Sequence, residues 1–418
     1  MRLKNVTFLN EDMSFETRDF SIKSNTISFD VSHGDQEESM DCEDYLVIPG
    51  LINAHFHSYS PLAKGLMKEM PLQDWCNDTD QGKIQQALFD YLDHELSEQD
   101  FVYLAQKSYM DMVKSGVSFV SDSDPKTPQL LSEGMNEIGI RGIIDTYEDI
   151  GDYHHQTDGN ILFGSHLLEE EDMTHDELLR VKGIKDQYHP LMMTHCLENE
   201  WRANIVSSKF GKSSIDLYHE MDILDDKTVL FHCVYMSEKD IDVVAASGSS
   251  VVHCPLSNLD TGAGVANVHR MLEKGVNVCL GTDYSHTDVW ELMRLTYYLL
   301  KINHRVNKYA AEDIFRMATV NGAKAYQLQD RIGQIKEGYK ADLAFIKKDS
   351  DLEPLLNDVN FSTNLYNVLF YSKSDSVQHV MIDGKWIMKD RKLVTVDEEK
   401  VVSRYQQIAE GFLHYLHK

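Results

Sequence analysis

Eight short apolar runs, each followed by a stretch in which apolar residues recur at helical spacing, fill the chain from residue 50 to about residue 330. They are Leu51–His57, Val117–Asp122, Ile140–Thr146, Asn160–His166, Leu191–His195, Thr228–His232, Ser249–His253 and Val276–Asp283. Strands joined by helical crossovers pair in parallel, because each helix carries the chain back to start the next strand in the same direction. Eight such units in ~280 residues predict a closed (β/α)8 barrel over an open doubly wound sheet. The segment "THDELLRVKGI" shows the helical part: Thr174 caps a helix, and Glu177 three residues on closes a capping box.

The flanks read differently. "MRLKNVTFLN", "FSIKSNTISFDV", "KADLAFIKK" and "VQHVMIDGKWIMKDRKLVTV" are short strands with turn signals, Asp383-Gly384 among them. They predict one small β-sandwich built from both chain ends, residues 1–49 and 336–418, beside a barrel spanning 50–335. The tail from Val396 has helical periodicity and is expected to pack outside.

Seven of the eight runs finish in His or Asp: His55/His57, Asp122, His166, His195, His232, His253 and Asp283. The carboxyl ends of barrel strands open onto one face, so these residues are expected to converge there. In "PGLINAHFH", strand alternation places Leu51, Asn53, His55 and His57 on one side and Ile52, Ala54 and Phe56 on the other. Taken alone, this His-x-His is either a pair of metal ligands or two unrelated histidines, and any one strand-end histidine can simply hydrogen-bond a neighbouring carbonyl. Independent structural histidines, however, have no reason to gather at one end of successive strands and be completed by the acid of "LGTD". Three neutral imidazoles and a carboxylate suit Zn²⁺ or another divalent ion with a position open for water, which makes His55 and His57 metal-ligand candidates. The same alternation should aim the histidines of His195-Cys196, His232-Cys233 and His253-Cys254 at the mouth and their cysteines at the outer helices.

Composition excludes several partners. Asp and Glu total 68 against 40 Lys and Arg, a formal charge of -28, which repels nucleic acid and anionic membranes. No run of eighteen apolar residues exists, charges interrupt the N-terminal segment, and the six cysteines form no C-x-x-C pair, so a cytoplasmic protein with reduced thiols is expected. "GKSS" at Gly211 lacks the upstream glycine of a phosphate loop, and neither H-E-x-x-H nor H-x-E…P-C-x-x-C is present.

The segments "VIPGLINAHFHSYSPLAKGLMKEMPLQDW", "THCLENE", "LFHCVYMSEKDI", "VVHCPLSN", "LGTDYSH", "ATVNGAKAYQL" and "GQIKEGYKADLAFI" together resemble the amidohydrolase superfamily, in its branch of deaminases and triazine chlorohydrolases, along nearly the whole chain. That branch includes guanine, cytosine and S-adenosylhomocysteine/methylthioadenosine deaminases. The resemblance implies a metal-dependent barrel with a small β-sandwich and one Zn²⁺ or Fe²⁺ held by His55, His57, His195 and Asp283. It implies that Asp283 also shuttles protons, that Glu198 is the substrate-facing acid, and that His232 activates or orients the attacking water. His253 is implied as a substrate contact, whereas Asp122 has no implied role and is read as a structural strand-end acid.

The implied reaction is hydrolytic deamination of an amino-substituted N-heterocycle: a purine, pterin, pyrimidine or nucleoside. Hydroxide attacks an amidine-like carbon, Glu198 protonates the adjacent ring nitrogen, and Asp283 passes a proton to departing ammonia. Alternatives are hydrolysis of another C–N or C–Cl bond, as in a triazine chlorohydrolase or cyclic amidase, and a barrel that only binds metal. Lys64 where many relatives have arginine, "TGAGVAN" after "PLSN" in place of the usual small-x-x-Pro segment, and a short stretch from Arg141 to His166 all fall near pocket-shaping regions and leave the substrate open. The loops after the third and fourth runs carry Glu148, Asp149, Asp152, Glu169, Glu170, Glu171 and Asp172, while Arg141 opens its strand at the far end. An acidic mouth, with Trp75, Tyr147 and Tyr153 for stacking, favours a neutral or cationic ring over a phosphorylated nucleotide; the same acids could also merely solvate the surface. The expected partner is a small heterocycle, and self-association of the chain is compatible with it.

Overall fold

The computed structural model describes residues 1–31, 38–123, 128–147, 150–153, 160–302, 306–358 and 361–417. Eight parallel strands form one sheet in sequential order: β1 (Leu51–Phe56), β2 (Val117–Asp122), β3 (Arg141–Thr146), β4 (Ile161–His166), β5 (Met192–Cys196), β6 (Thr228–His232), β7 (Ser250–His253) and β8 (Asn277–Leu280). The ring closes where Asp283, just past β8, bridges in parallel to Phe56 and donates its N–H to the His55 carbonyl at 2.9 Å. The strand ends lie within about one residue of the sequence expectation except in β8, where the chain leaves extended geometry early and Asp283 adopts φ 59°.

Side chains divide into an inner and an outer layer. Ile52, Ala54, Phe119, Ile143, Met193, Val229, Phe231, Val252 and Cys279 fill the barrel, plugged by Tyr326, whose hydroxyl donates to the Ala54 carbonyl. Leu51, Phe56, Val120, Ile144, Leu230, Val251 and Leu280 face the helices. Thr174 does cap its helix, His175–Tyr188, accepting from the Glu177 N–H at 3.1 Å, but Glu177 turns its carboxylate to Arg180 instead of closing the box.

Both chain ends supply the remaining sheets. In the larger one, Leu343–Lys347 pairs antiparallel with Tyr45–Pro49 on one side and Val377–Ile382 on the other. Asp383 and Gly384, both at positive φ, turn that last strand into Lys385–Lys389. The smaller sheet runs Thr26–Ser28, Phe20–Lys23, Arg2–Lys4, Ser39–Asp41. The tail forms the helix Glu398–Leu416, which lies outside the barrel on Glu98–Lys114 and buries Ile408 and Phe412 against Tyr59 and Leu62 after β1. No helix among the described residues is long and apolar enough to cross a membrane.

Arg141 opens β3 at the end opposite the histidines. Its guanidinium donates to Asp342 at 2.7 Å, to Asp383 at 2.7 Å and to Asn160, joining barrel to sandwich in a buried cluster. Arg141→Met is expected to cost ~3–5 kcal/mol of stability, because it strands the buried Asp342 carboxylate. Urea unfolding should show this at unchanged kcat; an unchanged midpoint would refute it.

Candidate active site

Period-two alternation breaks in β1, and the break makes the site. Ile52 and Ala54 point inward while Leu51 points outward, so His55 should also point outward. Pairing with β2 slips between Asn53 and Phe56, and His55 turns inward to stack on Phe231 with ring centroids 3.8 Å apart. His55 and His57 thus share a face as expected, but Leu51 and Asn53 do not lie on it. Room for the ring comes from Gly281: a Cβ there would sit 2.8 Å from the His55 Cβ.

In β5, alternation holds, with Met193 and His195 inward and Met192 and Cys196 outward. In β6, Phe231 already takes the inward position, and His232 reaches the mouth only because it and Cys233 adopt φ 68° and 53°. In β7, Val252 is inward, so the expectation for the next pair is reversed: Cys254 packs inside and His253 outside. His253 borders a separate cavity with Val265, Asn267 and Leu300 and does not line the one containing Glu198. Burial, assisted by nearby His232, pushes its pKa down to about 3. Asp122 also points away from the mouth, accepting from Tyr109 at 2.5 Å and the Ser58 N–H at 3.2 Å.

His55, His57, His195 and Asp283 bring four possible ligand atoms within 4.8 Å of one another. The Nε2 atoms of His55 and His57 lie 3.2 and 3.3 Å from Asp283 Oδ1, and that of His232 lies 3.8 Å from Oδ2. Each Nδ1 is engaged elsewhere: His57 on the Ser123 carbonyl at 2.8 Å, His55 on Ser123 Oγ at 3.2 Å, His195 on Glu169 at 2.9 Å and His232 on Asn258 at 2.8 Å. The carbonyl, carboxylate and amide oxygens accept from His57, His195 and His232 and so fix the tautomer that leaves their Nε2 as a lone-pair donor, the arrangement a metal requires, and the Ser123 hydroxyl can accept from His55 in the same way. The buried Nε2 atoms of His55 and His232 lack any hydrogen-bond partner, so the donor set fits a divalent ion. Charge agrees. Burial would raise the Asp283 pKa, but the imidazoles of His55 and His57 beside its Oδ1 hold it well below the usual range. Burial would lower that of His57, but Asp283 outweighs this and carries it to about 9. The acid therefore demands positive charge beside it.

His57, His195, His232 and Asp283 line a cavity of about 320 Å³, with His55 buried behind them. One wall is aromatic, with Tyr59, Trp75, Phe89 and Tyr284; the other carries Glu169, Glu171, Glu198 and Arg202. Trp75 and Tyr147 therefore sit where the sequence put them, Tyr147 stacked on His166 at 3.9 Å. Tyr153 does not: it is buried against Phe163 and bonds Gln129. Of the loop acids, Glu169 and Glu171 line the cavity, whereas Glu170 turns into the protein, accepting from the Leu197 N–H and from Ser214. Asp152 and Asp172 are exposed, and Glu148 and Asp149 lie outside the described residues. Arg202, Tyr59 and Tyr284 escaped the sequence reading; the i, i+4 spacing of Glu198 and Arg202 in "ENEWR" was the available signal for the first.

An amidohydrolase family model matches residues 46–387. The chain is 29% identical over 399 residues to a 5-methylthioadenosine/S-adenosylhomocysteine deaminase of Pyrococcus abyssi, covering 89% of each. It is 28% identical over 409 residues to a 5′-deoxyadenosine deaminase of Methanopyrus kandleri, covering 90% of this chain and 91% of that one. Among solved structures, an adenosine deaminase from Xanthomonas campestris with bound zinc superposes with a TM-score of 0.88 at 20% identity, over 99% of this chain and 98% of the other.

Proposed function

The chain belongs to the amidohydrolase family, and from that premise we propose that it hydrolyses an amino-substituted N-heterocycle at its exocyclic C–N bond, releasing ammonia. The observation that carries this reading is the convergence of the His55, His57, His195 and Asp283 donor atoms beside Glu198 in one aromatic-walled cavity. A divalent ion held by those four residues, zinc or iron, supplies the Lewis acidity that makes water nucleophilic near neutral pH. His232, fixed through Nδ1 on Asn258, keeps Nε2 turned toward Asp283 and orients the attacking water. Asp283 Oδ2 takes the proton of that water and later gives it to the departing amine. Glu198 protonates the ring nitrogen next to the attacked carbon, so that the electron pair is stabilised on the ring as the carbon becomes tetrahedral, and it is reset by the second water proton, which leaves the new hydroxyl as the carbonyl forms and ammonia departs. Trp75 and its aromatic neighbours stack on the flat ring.

The names of the relatives support an adenine nucleoside within this class. Glu169 and Glu171 on the cavity wall support a neutral or cationic substrate, since Arg202 is already engaged by carboxylates. The six free cysteines support a reducing, cytoplasmic setting. An ammonia-release screen across free bases, nucleosides, 5′-nucleotides, pterins and triazines tests the proposal. Fastest turnover is expected on an aminopurine nucleoside. Preference for a 5′-phosphate over its nucleoside would refute the charge argument, and chloride release without ammonia would make the protein a triazine hydrolase.

A further inference from the structure

Arg202 is a cation at the unfavourable end of a helix. It is the third residue of Glu200–Phe210, where its N–H donates to the Asn199 cap at 2.9 Å. The helix macrodipole is positive there, and burial strips the guanidinium of water, so local structure gives no reason for a cation. Side chains lean toward a helix N-terminus, and from this position the guanidinium reaches back over the end of β5 into the cavity. Three carboxylates meet it. Nη1 donates to Glu198 Oε2 at 2.8 Å, and Nη2 lies 2.7 Å from Glu171 Oε1 and 3.1 Å from Glu169 Oε2. Through its other oxygen Glu169 accepts from His195 Nδ1 at 2.9 Å and from Tyr147 at 2.7 Å. An unbroken line of contacts thus runs from Glu198 through Arg202 and Glu169 to His195.

We propose that Arg202 is a positioning residue for the deamination, gripping Glu198 by Oε2 so that Oε1 is presented to the ring nitrogen, and gripping Glu169 so that His195 keeps the tautomer that binds metal through Nε2. A guanidinium suits this task because its planar fork serves two or three acceptors at fixed angles, which a flexible ammonium does not. The inference rests on the reading of Glu198 as the ring-nitrogen acid.

The test compares Arg202→Lys and Arg202→Gln with the wild type, alone and in a Glu198→Gln background. The measurements are thermal unfolding, zinc affinity by competition with a chromophoric chelator, and ammonia release from 5′-deoxyadenosine. Arg202→Gln is expected to lower kcat by about 30-fold or more with KM changed less than about 3-fold, since the acid is misdirected and not removed. It should also weaken zinc binding by about 10-fold, the scale of lost support for a metal-bound histidine. Arg202→Lys should recover part of both. With Glu198 already replaced, either variant should cost less than about 3-fold more in kcat, because residues acting through one group are not additive. Should Arg202→Gln fail to fold, Arg202→Lys and its double variant decide. Folded variants with wild-type kcat and zinc affinity, a loss confined to KM, or fully additive losses would each overturn the proposal. A Glu198→Gln enzyme with wild-type turnover would overturn both this inference and the acid role beneath it, whereas loss in Glu198→Gln with no loss in the Arg202 variants would fell the inference alone.

Discussion

Asp283→Asn is expected to reduce ammonia release by about 10⁴-fold, the upper range for loss of a group that transfers protons in the rate-limiting step. The physical case lies in the two oxygens of that carboxylate. Oδ1 sits beside the Nε2 atoms of His55 and His57, at 3.2 and 3.3 Å, and Oδ2 faces that of His232 at 3.8 Å. One oxygen thus faces the His55–His57 pair and the other faces His232, the side on which the proposed reaction brings in water. Asparagine keeps the size and one acceptor oxygen, so the barrel closure, which uses the backbone N–H of Asp283 and the His55 carbonyl, should survive. What goes is the negative charge and, in the proposed reaction, the base that receives a proton. Elemental analysis should show metal reduced by replacement of Asp283 and nearly absent after His55→Ala or His57→Ala, with activity falling in step. Full turnover in a metal-free His57→Ala protein would refute the site.

The barrel was legible because its strands, eight apolar runs ended by polar residues, repeat one signal, and errors in any single boundary do not disturb the count. The convergence of His55, His57, His195, His232 and Asp283 was legible for the same reason: topology alone brings strand ends together. What the sequence concealed was local backbone. Whether a strand-end residue faces in or out depends on a bulge after Asn53 and on left-handed residues at His232, Cys233 and Asp283, and none of these is a glycine that would have announced itself. His253 went outward in the structure because β7 has no such irregularity before it, so plain alternation, applied from Val252, gives the right answer there and the wrong one for His232. The acidic run at Glu169–Asp172 read equally as an acidic mouth or as surface charge, because sequence shows formal charge and not pairing. Arg202 lies 31 residues from Glu171 and 33 from Glu169, and only folding sets it among them.

Glu198→Gln is the second large effect, an expected loss of about 10²–10⁴-fold in kcat with metal content unchanged. Glu198 follows His195 by three residues, just beyond β5, and its side chain is only 5% exposed, lining the cavity beside the metal cluster. Its Oε2 accepts from Arg202 at 2.8 Å, and a glutamine carbonyl in the same place can accept that bond, so the substitution should neither unfold the helix that follows nor release the guanidinium. The amide cannot release a proton to a ring nitrogen, however, and the negative charge left by attack then stays on the heterocycle. The cost should therefore fall on kcat, with KM within a few-fold of wild type, because the aromatic wall of Trp75 and its neighbours, on which the ring is proposed to stack, is untouched. Steady-state kinetics with parallel metal analysis separates the two quantities. Wild-type turnover in Glu198→Gln would make Glu198 a structural partner of Arg202 and leave the ring nitrogen to be protonated by another group.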